Sequence, residues 1–402
     1  MGFLGTYLGT DLGTALGTNL APRALSFSKA SFFNASERYL LYGGLKTGPF
    51  AANVPATRVI GGRRYVQLEE LNTTINTYSE QLADYYTGLD HATWSSNIGI
   101  DPLGDVTADK LCENSDISNH GAYYASAGDV ANTLLYCGYA KILERSQFVA
   151  RLDVSPVASS IKYDMVTGLS SVYTGATPDS YGLIPLSNGY YFWYMIIDHD
   201  GTGGASTWLR LMKDDILSYQ GTAGEGALFW GVNVIATKHL VSYIKTEASS
   251  AIRTSDELSY AEADVPARLR LGFTQHIIFH EYSSAMLTTA GGQKVIASFD
   301  ATAETVTVYL DGADNKVHVV GSVSGQFVES AALTWSLYQH AIVKFEFDNG
   351  SNSVLTTSGF TTGNGVVAGT KAEAADGDVT HGMNHTTFDE HFAGLLAQLE
   401  PL

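Results

Sequence analysis

The residue types able to do chemistry are thinly spread along this chain of 402 residues, and the carboxylate and histidine spacings come first. The run DHDGTGG (198–204) places Asp198, Asp200 and Gly201 as a calcium loop would begin, but lacks the Glu at its twelfth position. It reads as a turn between strands. DGADN (311–315) and FDNGSN (347–352) read the same way, with a calcium ion in the last domain as the sharper alternative. His276 and His280 would lie about 13 Å apart on one strand, too far to share an ion. His381, His385 and His391 gather near the end, where His385 could meet its copies only around a three-fold axis. No nucleophile elbow, His-Glu-x-x-His or phosphate loop occurs. Asp and Glu are scattered over turns, and a glycosidase pair is decided by separation in space. The expectation is no catalytic residue, no cofactor and no metal. Aromatic side chains are the remaining chemistry, because sugar rings stack on them while polar neighbours take the hydroxyls. Trp94 in HATWSS, Trp193 in GYYFWYMIID and Trp230 in GALFWGVNVI read as core. The surface candidates for carbohydrate are Tyr123 and Tyr124 in HGAYYAS, Tyr173 in SSVYTGAT, Tyr181 and Trp208; a Tyr packed at a strand edge is the plainer reading of each.

The elements that would position such side chains are strands. Charged residues are only 16% of the chain, while 41 glycines and 23 tyrosines favour β-structure rich in turns. Short alternating or apolar runs, such as TLLYCGYAKI, QFVARLDV, GYYFWYMIID, STWLRLMK and GALFWGVNVI, are separated by Gly, Asn, Asp and Ser at the spacing of a sandwich. After AEADVPARLR, near residue 265, a second series begins with GFTQHIIFHEY, and YLDGADNKVHVV reads as a hairpin around Asp311-Gly312. At the end, Phe388, Phe392, Leu395, Leu396 and Leu399 fall on one helical face, with Thr387 and Glu390 as a capping box. A short helix over 387–399 follows from that spacing. The two cysteines, Cys112 and Cys137, read as buried small hydrophobes, with one disulfide between strands as the alternative.

The net charge of −18 argues against a nucleic-acid groove, which needs clustered Lys and Arg. No stretch of 18 apolar residues implies a membrane span, and the N-terminus lacks the basic and apolar regions of a signal peptide. Residues 4–22 repeat Leu-Gly-Thr every four residues. In an extended chain Leu4, Leu8, Leu12, Leu16 and Leu20 share a face with the threonines, and the glycines leave the other face nearly bare. Such a segment cannot bury itself and needs a partner surface. It is read as an assembly arm over 1–22, followed by a connector over 23–64.

An ordered series of phrases resembles a carbohydrate-binding-module-like jelly-roll of bacteriophage virion proteins. The phrases are VQLEE (66–70), NTTINTYSEQ (72–81), HATWSS (91–96), PLGDVTADKLCEN (102–114), LYCGYAKILERS (135–146) and LFWGVNVIATKHLVSYIKTEASSAIRTSDEL (228–258). Val241 stands where that pattern has Thr, and its Trp-Tyr-Arg phrase survives only as FWYMII (192–197). The strand pattern of the last third resembles a concanavalin or laminin-G-like sandwich, which phage fibres place after the jelly-roll. The resemblance implies an all-β chain: a jelly-roll over 65–265, then a sandwich over 266–402 carrying the C-terminal helix. It implies a non-enzymatic virion protein, a head fibre, capsid decoration or tail fibre, assembled in the host cytoplasm without a signal peptide. Its partners would be the capsid, portal, collar or tail hub, its own copies as a homotrimer, and a host cell-surface glycan. Two alternatives stay open. One is a purely structural capsid or collar decoration protein without a ligand. The other is a capsular polysaccharide depolymerase.

Overall fold

The computed structural model describes residues 72–125, 133–154, 156–186, 188–198, 204–238, 240–253, 272–279, 284–290, 292–301, 305–321, 325–336, 339–347 and 353–369, and further strands at 31–33, 38–42, 45–50, 57–60, 63–68, 257–260, 375–381, 394–397 and 400–401. The described chain is all-β, with helix only at Leu82–Tyr85 and Ser284–Ala290. The assembly arm, Leu4 to Leu20 included, lies outside the described residues.

The first sandwich faces two antiparallel sheets. One runs Leu169–Gly175, Val157–Asp164, Gln147–Val154, Ala205–Met212, Ile117–Ala125, Ser218–Gln220, with Gly88–Asp90 also paired to Ile117–Ala125. Its strands alternate as their sequence does. In Ala205–Met212 every second side chain from Ala205 to Leu209 is buried, and Ser206, Trp208 and Arg210 face outward. The second sheet runs Ser180–Pro185, Tyr190–Asp198, Thr133–Ile142, Gly226–Ala236, Asn72–Thr74, Ile252–Arg253, joined by Ala92–Ile100 and Val106–Glu113. Its central strands read as unbroken apolar runs because both faces are covered. Leu134, Tyr136, Trp193, Met195, Phe229 and Val234 meet the first sheet. On the other face Leu135, Tyr139, Phe192 and Trp230 pack under the strandless segment holding Leu240, Val241, Tyr243 and Ile244. Gly231 (φ +61°) bulges the strand beside the Tyr139 ring, which explains the Trp-Gly phrase.

The second sandwich departs from the linear order read in the sequence. One sheet runs Ser31–Phe33, Glu257–Tyr260, Ala375–His381, Gln293–Ala301, Thr305–Asp311, Lys316–Gly321, Gly325–Glu329. The other runs Gly365–Ala368, Ser353–Ser358, His340–Phe347, Gly272–Ile278, Gly394–Ala397, Arg63–Leu68, Thr57–Ile60. Residues read as connector therefore supply strands, and VQLEE (66–70) begins in this sandwich rather than in the jelly-roll. The first sandwich is inserted within the second. Local pattern marks a strand but carries no information about its pairing partner.

The C-terminal helix is also corrected. Gly394–Ala397 is a strand paired on both sides, Leu395 opposite Gln67 and Ile278, and Leu396 opposite Val66 and Ile277. The ladder on two sides overrides a helical spacing that short apolar runs carry ambiguously. The rest of that prediction, 387–393 and 398–399, lies outside the described residues. The hairpin at Asp311-Gly312 is present, closing where Asp311 pairs with Lys316.

Candidate functional site: an aromatic and guanidinium face

Register places the site. Across the outer face of the first sheet Gly88, Tyr123, Trp208, Arg151 and Ser160 stand in one row. Asp90, Gly121, Arg210, Val149 and Lys162 form the next row on the same face. Tyr123 and Trp208 stack with ring centroids 4.4 Å apart and planes 25° apart. The Arg210 guanidinium lies over the Trp208 ring, its Cζ 4.5 Å from the centroid. At the other end Tyr123 covers Gly88, where any Cβ would overlap the ring. The result is a column of Gly88, Tyr123, Trp208 and Arg210. Its ring edges, more than its ring faces, reach solvent.

Of the five predicted carbohydrate residues, two are brought together here, Tyr123 and Trp208. Tyr173, 43% exposed, is the bulged residue of the edge strand Leu169–Gly175, three strands away from Arg210 in the same sheet. Tyr124 and Tyr181 do not join them; both pack against the core between the sheets. Tyr124 follows Tyr123, so the pleat turns it inward, onto Tyr85 at 4.6 Å. Arg151, Arg210 and Gly88 belong to the face but are absent from the sequence-level set. Arg210 was legible as the residue two along from Trp208 in STWLRLMK.

The charges of the face are unevenly satisfied. Arg151 donates from Nε to Asp153 at 2.7 Å, and Lys162 donates to Asp215 at 2.9 Å. The acid nearest Arg210 is Asp90, at 3.8 Å, beyond hydrogen-bonding distance. Nε of Arg210 and Nε1 of Trp208 are both buried without an acceptor. Burial pulls the Arg210 guanidinium below its usual range; Asp90 opposes this and Arg151 adds to it.

The phrases that carry the jelly-roll resemblance do other work. Asn76 donates to the Tyr78 and Val232 carbonyls and accepts from the Val234 N–H. The Tyr243 hydroxyl bonds Ser79 at 2.7 Å and donates to Glu80 at 2.8 Å. Asp109 accepts from the backbone N–H of Leu82 and of Asn97. Burial raises its carboxyl, and those bonds oppose the rise. Glu113 accepts from Arg145, Tyr219 and the Thr222 N–H. All are links inside the first sandwich, and Trp193 and Trp230 are fully buried.

Cys112 and Cys137 are buried free thiols, so the disulfide alternative does not hold. Among the described residues, one group has metal-ligand spacing: Asp311, Asp314 and His318. Its atoms already hold each other. His318 Nε2 lies 3.2 Å from both Asp314 oxygens, and Lys316 donates to Glu329 at 2.5 Å beside it. Asp198 of the DHDGTGG run accepts from the Thr133 hydroxyl at 2.7 Å, and 199–203 lie outside the described residues.

No family model and no curated protein matches the chain. Among solved structures, the LG1-3 region of the laminin alpha2 chain is similar at 10% identity with a TM-score of 0.25. That match covers 70% of this chain and 64% of that one.

Proposed function

We propose that the chain is a non-enzymatic β-sandwich binding protein of a bacteriophage particle, a head fibre, capsid decoration or tail fibre. The arm over residues 1–22 anchors it to the capsid, the portal or collar, or the tail hub. The outer face of the first sandwich meets a host cell-surface glycan, and copies of the chain associate as a homotrimer. The virion assignment is supported by the ordered phrases from VQLEE to the SYIKT run. One observation carries the binding reading: an outer sheet face stacks Tyr123 on Trp208 beside Arg210, whose Nε is buried without an acceptor. Aromatic rings and the terminal N–H groups of a guanidinium are suited to sugar hydroxyls and oxyanions. Mass spectrometry and immunogold labelling of purified particles test the virion assignment: the chain is expected at a fixed copy number on the particle surface. Its absence from washed particles would overturn the assignment.

A specific observation favours one second reading, a decoration protein without ligand. The column of Gly88, Tyr123, Trp208 and Arg210 spends its ring faces on itself. Under that reading the column only stiffens the sheet edge, and no glycan binds.

A further inference from the structure

We infer that the ligand of this face carries an oxyanion, and that Arg210 with Arg151 seats it; the inference rests on the glycan reading above and names the class of sugar. Arg145, in the same sandwich, is fully satisfied. Arg145 donates to both carboxylate oxygens of Glu113 and to the Glu144 carbonyl, and pairs with Glu225 at 2.6 Å. Arg210 is treated differently. Its side chain is only 21% exposed, yet it donates no hydrogen bond among the described residues, and Asp90 stands off at 3.8 Å. A guanidinium has five N–H donors in a planar fork; here Nε is buried without an acceptor, which is costly, and the terminal nitrogens donate to no described residue. The Trp208 ring holds the group in a fixed plane, removing side-chain entropy that a ligand would otherwise have to overcome.

A second guanidinium stands beside it. Arg151 is the register partner of Trp208, and Arg210 is the partner of Val149, so the two arginines are diagonal neighbours on one face. Arg151 uses Nε on Asp153, and its terminal nitrogens donate to no described residue. The protein as a whole carries a charge of −18, so two neighbouring guanidiniums with open donors single this face out. The chemistry that completes it is bidentate acceptance by a carboxylate or a sulfate ester. Such a group would sit over Arg210 and Arg151, with the sugar ring along the edges of Trp208 and Tyr123. Asp90 holds the place of that oxyanion when no ligand is bound.

The test is calorimetric titration of the full chain with three matched oligosaccharides: a uronate oligomer, its carboxyl-reduced neutral form, and a sulfated oligomer. An acidic oligomer is expected to bind at least about tenfold more tightly than the neutral one, the margin of a bidentate charge-assisted pair. Its affinity should fall as salt rises. Preference for the uronate assigns a carboxylate and preference for the sulfated oligomer assigns a sulfate; both support the seat. Arg210→Gln should abolish the preference while leaving the melting temperature unchanged. Arg210→Lys should restore part of it. Asp90→Asn should raise acidic affinity, because the competing carboxylate is gone; no rise overturns the seat as drawn. Equal binding of neutral and acidic oligomers, unaffected by Arg210→Gln, overturns the inference and leaves the glycan reading standing. Failure of all three to bind overturns both.

Discussion

Glu113 shows how much a single side chain can hold. Its carboxyl is buried and accepts from Arg145, Tyr219 at 2.5 Å and the Thr222 N–H at 2.7 Å. Burial alone would raise it; these bonds outweigh burial and hold it below the usual carboxylate range. A carboxyl that titrates lower in the folded state stabilises fully above its unfolded value, and the gain drains away as pH falls through the folded value. Glu113→Gln should therefore cost about 3 kcal/mol near neutral pH, the scale of breaking one side of a buried pair. It should also flatten the acid limb of the stability curve, read as denaturation midpoint against pH; an unchanged acid limb would mean other carboxylates carry it. At Gly88 the constraint is steric. Gly88→Ala should push the Tyr123 ring off its seat, costing about 1–3 kcal/mol, the range of overpacking, and altering Trp208 fluorescence.

At the scale of elements, the sequence was most readable where the period was simplest. STWLRLMK and QFVARLDV alternate, and their alternation correctly separates an outer row, with Trp208 and Arg151, from an inner row, with Leu209 and Ala150. The same period separates Tyr123, which faces outward, from Tyr124, which packs against the core. Pairing was not readable. Nothing in RRYVQL announces that it will lie beside GLLA more than three hundred residues later, because hydrogen-bond register is a property of two strands and not of one. GLLA is a strand and not a helix for the same reason: its spacing serves either period, and the neighbouring strands decide. The insertion has a direct consequence. A fragment of residues 266–402 lacks the strands at 31–33, 57–60, 63–68 and 257–260 that complete both sheets of the second sandwich. It should show no cooperative thermal transition, whereas residues 31–402 should melt cooperatively. A cooperative melt of 266–402 would contradict the pairing.

For the whole molecule, the proposal is an assembly arm over residues 1–22 attached to the two sandwiches. Sedimentation of the full chain beside a form starting at Arg23 tests the arm: the full chain should bind particles or self-associate, and the shorter form should be folded and fail to do so. If both forms give the same trimer, the sandwiches set the oligomer and the arm only tethers. The central claim, however, is that one open sheet face binds a host glycan. Its most direct test is calorimetric titration of acidic bacterial surface polysaccharide, the ligand class proposed above, into the full chain and into Trp208→Ala, which removes the ring supporting Arg210. Saturable binding by the natural chain is expected, with at least about a tenfold loss in Trp208→Ala at a temperature where both proteins remain folded, the weight of an aromatic anchor in an interface. Equal affinity in the two proteins, or no binding by the natural chain, would contradict it.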